Sequence, residues 1–213
     1  MQSELTLFVG TFTTLLAIIN PLEVMPVYLQ LLAGKDKTTH RLIARKACVY
    51  ALVLSFFFLV FGDVFLRLFG VPLAMVRIAG GLILIKIGFS LFMPENGSGP
   101  VAADAGPGAN IAFVPLAMPL MFGPGAIATL IGMTAEIRES PREILALVAV
   151  AAAIFATMFA TYLCLANAER LTKRIGPLGI DAATRIVGFF VAAIGVGLIF
   201  KGVIQALHGV TLR

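Results

Sequence analysis

The chain has 213 residues, of which 60% are apolar and only 13% charged, and its mean hydropathy is +1.01. Soluble domains stay near about half apolar, so this composition excludes a water-soluble globular protein and places the chain in lipid. The net charge of +5 does not point to nucleic acid, because the basic residues fall in short connections between apolar runs, where they write topology.

A membrane helix needs roughly 20 mostly apolar residues. Six such stretches are predicted, at 5–33, 46–69, 71–93, 111–135, 143–167 and 180–207. The first begins MQSELTLF, which has neither a positive n-region nor a small-residue cleavage site, so no removable signal peptide is expected. Inside this first span lies INPLEVMPVYLQLL, Ile19–Leu32, with two prolines five residues apart, an asparagine and a carboxylate. Proline removes a backbone donor and clashes with a carbonyl one turn earlier. In hydrocarbon, each backbone group so released costs several kcal/mol unless protein or cavity water satisfies it. Asn20-Pro21 also has the form of a helix start, with Asn as N-cap and Pro as first helical residue. The first span therefore reads as two half-helices joined near Asn20–Pro26.

The connection Gly34–Lys46 carries Lys35, Lys37, Arg41, Arg45 and Lys46, and the one after the fifth span carries Arg170, Lys173 and Arg174. The alternate side has Arg67, then Arg138 and Arg142 among three glutamates, then Arg213. Positive-inside logic puts both termini outside and the basic connections in the cytoplasm. Residues 94–110, PENGSGPVAADAGPGAN, contain no Lys or Arg and read as a flexible linker.

The linker separates two similar halves. Pro119 and Pro124 in the fourth span repeat the spacing of Pro21 and Pro26, and Gly123-Pro124-Gly125 marks a second break. Arg77-Ile-Ala-Gly80 opens the third span as Arg185-Ile-Val-Gly188 opens the sixth, each after a Gly/Pro turn. Matched features in the same order indicate an internal repeat. Three spans per repeat force the second copy to enter from the opposite face, an architecture that recurs in secondary transporters. The predicted fold is an all-α integral membrane protein of six transmembrane helices in two inverted three-helix repeats. Residues 1–93 and 111–213 form the repeats, and the first and fourth helices are broken near the midplane.

At each break one half-helix presents its positive end and the other its free carbonyls. Such a pocket offers donors for a carboxylate and acceptors for an ammonium, and so suits a small zwitterionic solute. The expected binding residues are Asn20, Pro21, Glu23, Pro26, Pro119, Gly123, Pro124 and Gly125. Glu23 and Lys86 lie inside spans at similar depth, where an ionisable residue calls for a function or a partner. They are candidates for ion coupling, or for a structural pair, with Lys86 alternatively snorkelling to the interface. Arg77, Arg185, Asp63 and Asp181 lie at span ends and read as interfacial.

The run ANIAFVPLAMPLMFGPGAIAT at Ala109–Thr129, Asn20-Pro21…Pro26, RIAGG at Arg77–Gly81 and GIDAATRIVG at Gly179–Gly188 resemble the MarC/SnatA family of bacterial and archaeal inner-membrane proteins. The resemblance covers essentially the whole chain. It implies a six-span protein of the plasma membrane whose better-understood members move glycine, alanine and similar small neutral amino acids. The family's proline motifs fall on Asn20, Pro21 and Pro26, and on Pro119, Gly123, Pro124 and Gly125. Glu23 and Lys86 depart from the usual pattern, which has small or apolar residues there.

The leading expectation is a secondary transporter working by alternating access, coupled to an ion gradient, with lipids as neighbours and homo-oligomerisation left open. A passive channel or an exporter of another small polar solute is the alternative. No GxxxxGK[ST] loop supplies ATP hydrolysis, and no cofactor, metal or enzymatic activity is expected. His40 and His208 fall outside the spans, which argues against an intramembrane hydrolase. A thiol–disulfide carrier would need equivalent cysteines, but Cys48 follows Pro26 by 22 residues and Cys164 follows Pro124 by 40.

Overall fold

The computed structural model describes residues 4–93, 110–138 and 142–211. The expected linker at 94–110 therefore lies outside the described residues except for Asn110. Among the described residues all regular structure is helical: α1 (Glu4–Ile19), α2 (Pro21–Leu31), α3 (Lys37–Leu68), α4 (Leu73–Phe92), α5 (Pro124–Arg138), α6 (Glu143–Ala166) and α7 (Ala168–Thr211), with an irregular wide-coiled segment at Ala112–Met121. Five helical units are long and apolar enough to cross a membrane, α1 and α2 counting as one of 28 residues. The wide-coiled segment and α5 form a bent pair, turned by 62°, that makes a sixth.

Two connections expected to be loops are helical. The 32-residue α3 starts at Lys37 rather than near 46, because the Asp36 carboxylate accepts from the Thr38 and Thr39 N–H groups and caps it. No breaker follows, so Lys37, Arg41, Arg45 and Lys46 lie on its first turns. Likewise α7 starts at Ala168 and runs through Arg170, Lys173 and Arg174. It is interrupted only where Gly176 takes φ 75°, a left-handed geometry open to glycine at little cost. Pro177, its φ already helical, restarts it.

The α2–α3 hairpin is pinned by Tyr28, whose hydroxyl donates to the His40 carbonyl at 2.7 Å. The two rings pack edge to face, and His40 Nε2 lies 3.1 Å from the Leu32 carbonyl oxygen.

The α4 and α7 helices pack antiparallel at glycine. A Cβ on Gly81 would lie 2.5 Å from the Gly195 oxygen, and one on Gly88 2.5 Å from the Ala192 nitrogen. A Cβ on Gly202 would fall 2.7 Å from the Ala74 oxygen. Small residues let membrane helices approach to backbone contact and gain dispersion energy that lipid cannot match. The remaining core joins α1, α2, α3, α5, α6 and the wide-coiled segment around Tyr28, Leu116, Met121, Phe122 and Ile154. Phe57, Phe61, Phe189, Phe190 and Phe200 stand exposed on the outer faces, as suits a hydrocarbon solvent.

Candidate functional site

The first break is one residue long. Asn20 has φ 40° and ψ 72°, a left-handed conformation that Asn tolerates better than most residues. Its N–H still reaches the Leu16 oxygen at 3.0 Å, and its own carbonyl accepts from Glu23 at 3.0 Å and Val24 at 3.3 Å. Pro21 has no N–H to continue the ladder, so no backbone donor reaches the carbonyls of Ala17, Ile18 and Ile19. Asn20 holds the N-cap position, but its side chain makes no capping hydrogen bond, contrary to expectation. Asn20 is 1% exposed. Its amide interacts with the Glu23 carboxyl, yet the amide nitrogen has no partner within 3.5 Å.

The second break is built differently. Val114 and Met118 take extended backbone inside the wide-coiled segment, and Phe122 N–H closes its last turn on the Ala117 oxygen at 2.8 Å. Gly123 then offers its carbonyl to Ile127 at 3.1 Å as α5 begins at Pro124. A side chain has no room here. A Cβ on Gly123 would sit 2.9 Å from the Pro119 oxygen, and one on Gly125 2.5 Å from Leu84 Cδ2. The wide-coiled segment packs against α1 and α2, and α1 also touches α5, so both breaks belong to one contact network.

Glu23 is half-buried and opens onto a groove of about 480 Å³ between α2 and the start of α7. Leu22, Pro26 and Gln30 line it from α2; Thr172, Pro177, Asp181 and Thr184 line it from α7. Pro26 cannot donate to the Leu22 carbonyl one turn earlier, which leaves that acceptor beside the groove. Thr172 Oγ1 is buried there without a partner. Asp181 pairs with Arg185 at 2.9 Å. This mouth is therefore acidic and rich in acceptors.

Of the expected site residues, Asn20, Pro21 and Gly125 are buried, and Glu23 and Pro26 line the groove. Gly123 is half-buried; Pro119 and Pro124 are exposed and lie outside the groove. The expected Glu23–Lys86 pair does not form. Lys86 lies exposed on α4, seven residues before Met93, where a long side chain reaches an interface by snorkelling, while Glu23 faces α7. Arg77, read as an interfacial anchor, is only 8% exposed. Its Nη1 donates to Gln205 Oε1 at 2.8 Å and its Nη2 to the Gly132 oxygen at 3.5 Å. It fits because Gly202 leaves space beside the Arg77 Cβ, a match between residues that sequence spacing does not reveal. Sequence reasoning also missed Thr172 and Thr184, which lie twelve residues apart on either side of the Gly176 interruption, so that helical spacing does not bring them to one face. Cys48 and Cys164 are both free thiols.

With this geometry in view, the model of the MarC family integral membrane protein matches residues 5–207. The chain belongs to the MarC family. It is 32% identical over 207 residues to a UPF0056 membrane protein of Methanocaldococcus jannaschii, covering 96% of this chain and 99% of that protein. It is 34% identical to a UPF0056 membrane protein of Aquifex aeolicus, over 95% of this chain and 94% of the relative. It is also similar to the UPF0056 inner membrane protein MarC of Salmonella typhimurium, at 32% identity over 91% and 92% of the two chains. No solved structure matches the chain.

Proposed function

We propose that this MarC-family protein is a secondary transporter of small neutral amino acids, of glycine and alanine type, working by alternating access and coupled to protons. The observation that carries the proposal is the buried break at Asn20-Pro21: no backbone donor reaches its carbonyls, and the Asn20 amide interacts with Glu23, which lines the α2–α7 groove. A backbone opened inside lipid persists only where it lines a cavity or protein, and it supplies the dipoles that small zwitterions need.

The inverted repeat is the architecture that such a cycle would use. Three features support it: the antiparallel α4–α7 contact, the arginines that reach across it from opposite ends, and the packing of each broken span against the middle helix of the other half. The relatives' name and the segregated basic residues support an inner or plasma membrane, with both termini outside and the Lys37 end of α3 cytoplasmic.

Uptake and counterflow in proteoliposomes, with a panel of small amino acids and with or without an imposed proton gradient, test the reading. Saturable glycine or alanine uptake that concentrates solute only with the gradient supports it. If no amino acid moves or competes, the substrate assignment fails. Flux that never exceeds equilibrium identifies a passive channel instead.

A further inference from the structure

A small pocket of about 70 Å³ lies between the start of α3 and the turn from α6 into α7. Lys37 and Arg41 of α3 and Arg170 of α7 stand exposed on its rim, and His40, Leu165 and Ala168 form a buried floor. A water molecule occupies about 30 Å³ in the liquid, so the pocket has room for a group of a few heavy atoms. Its chemistry is that of an anion site. Lys37 and Arg41 lie one turn apart on the same face of α3, and Arg170 meets them from another helix. None of the three forms an ion pair among the described residues, whereas Arg67, Arg142 and Arg185 each hold a carboxylate within 3.0 Å. Glu169 is the one carboxylate on the rim, so three cations face one anion. The α7 helix also begins here, and the N–H groups of Ala168, Glu169 and Arg170 meet no backbone acceptor, a helix start that favours negative charge. The apolar run of α6 ends at Ala166, which puts the pocket at the level of lipid headgroups. Leu42 beside Arg41 and Leu163 on the last turn of α6 are both exposed, so apolar surface flanks it in both walls.

We propose that this pocket seats the phosphate of an anionic phospholipid headgroup, with Lys37, Arg41 and Arg170 as its counter-charges. Arginine pairs with phosphate through a bidentate fork, and basic pockets between membrane helices take anionic headgroups. A lipid fits this place better than a free anion does. The pocket encloses one phosphate-sized group and leaves the rest of its occupant outside, where acyl chains meet the exposed leucines of both walls. The bound headgroup bridges α3 and α7, which barely touch each other elsewhere among the described residues. Thr172, two residues past Arg170, walls the Glu23 groove, so the lipid steadies that wall as well. The site lies apart from the groove and does not depend on the transport reading.

The test uses the purified full chain in a neutral maltoside detergent. Dioctanoyl phosphatidylglycerol is the probe, with dioctanoyl phosphatidylcholine and inorganic phosphate as comparisons. Titration followed by the melting midpoint gives the affinity, and native mass spectrometry counts the lipids retained. Phosphatidylglycerol should raise the midpoint and stay bound as one tightly held copy; phosphatidylcholine should do neither. The variant with Lys37→Gln, Arg41→Gln and Arg170→Gln should bind it about tenfold more weakly or worse, because each basic residue near a lipid surface is worth about fivefold. Arg45→Gln with Lys46→Gln removes two charges from the same end of α3 but outside the pocket, and should leave the affinity within about twofold. Equal losses in the two variants mean diffuse attraction and overturn the inference, as does equal binding of phosphatidylcholine. Inorganic phosphate that displaces the lipid at equal concentration overturns it in favour of a free-anion site. Should the triple variant fail to fold, Glu169→Gln removes the carboxylate on the rim and should tighten phosphatidylglycerol binding severalfold; unchanged or weaker binding overturns the inference. None of these readouts needs transport, so a chain that moves no amino acid but keeps selective lipid binding loses the transport reading and retains this site.

Discussion

Asn20-Pro21 and Gly123-Pro124 are the same device in sequence and different devices in space. At Asn20 a single left-handed residue joins two helices that still count as one 28-residue span. At Gly123 ten residues of irregular coil precede an elbow of 62°. The residue after each proline shows why. Leu22 is half-buried on the Glu23 groove, whereas Gly125 is buried with Leu84 where its side chain would be. The first break is itself buried but sends the next two residues, Leu22 and Glu23, to the groove, whereas the residue after the second break packs against α4. Proline therefore decides where a span breaks, and the neighbouring helix decides what the residues after the break meet.

The largest test of this contrast is Gly125→Val against Leu22→Val. Leu84 is fully buried and cannot yield, so Gly125→Val should cost about 3 kcal/mol, the upper part of the overpacking range. Leu22→Val removes one methylene beside open space and should cost under about 1 kcal/mol. Thermal melts in detergent measure both; equal losses would show that the two breaks are packed alike.

Next in size is Asn20. A β-branched residue in left-handed backbone costs about 1–2 kcal/mol, so Asn20→Val should lower the melting midpoint clearly. Glycine takes that conformation freely, so Asn20→Gly should fold almost as well while losing the amide. If Asn20→Gly also transports normally, the amide has no part in binding. At the second break Gly123 does not take a positive φ, yet Gly123→Ala should still destabilise, because the Pro119 oxygen 2.9 Å from the new Cβ belongs to backbone.

The third contrast is of charge. Two residues after each proline the halves carry Glu23 and Ala126, and Ala126 is 1% exposed in the core. Glu23→Gln keeps the shape and removes the ionisable group. It should leave the melt within about 0.5 kcal/mol, as expected away from structural ion pairs, and abolish the response of uptake to a proton gradient. Unaltered coupling in this variant would remove Glu23 from the mechanism.

Much of this frame is legible in the sequence because proline and span length act locally. Pro21, Pro124 and Pro177 each start a helix where their fixed φ and missing N–H predict one. Helix ends at the membrane surface are less legible, since Lys37–Lys46 and Arg170–Arg174 are charged and helical at once, and hydropathy sees only the charge. The sites are hardest to read. Thr129 and Thr157 look alike in an apolar run, but one hydroxyl bonds its own helix and the other finds nothing. The space Arg77 needs comes from Gly202 on another helix. Whether a polar group is satisfied, or a charge accommodated, is decided by partners that sequence spacing does not bring together.

The smallest expected effect lies at the starts of the two middle helices. The α3 helix is capped by Asp36, whereas α6 starts after Arg142 with no side-chain cap, Arg142 instead pairing with Glu4 at 2.9 Å. Hydrogen bonding, chiefly from Thr39, holds the Asp36 carboxyl below the ordinary aspartate value. A carboxyl whose folded-state pKa is depressed stabilises above its unfolded pKa, and that contribution disappears as pH falls through the folded one. The melting midpoint of Asp36→Ala should therefore lie a little below that of the unaltered chain at neutral pH. The gap should stay constant down to about pH 4 and close below it. Asp36→Asn, which still offers a capping oxygen, should recover part of the loss and show no such closure. A gap that persists unchanged into acid would mean that Asp36 acts only through its shape, and that the two middle helices start with equal electrostatic support.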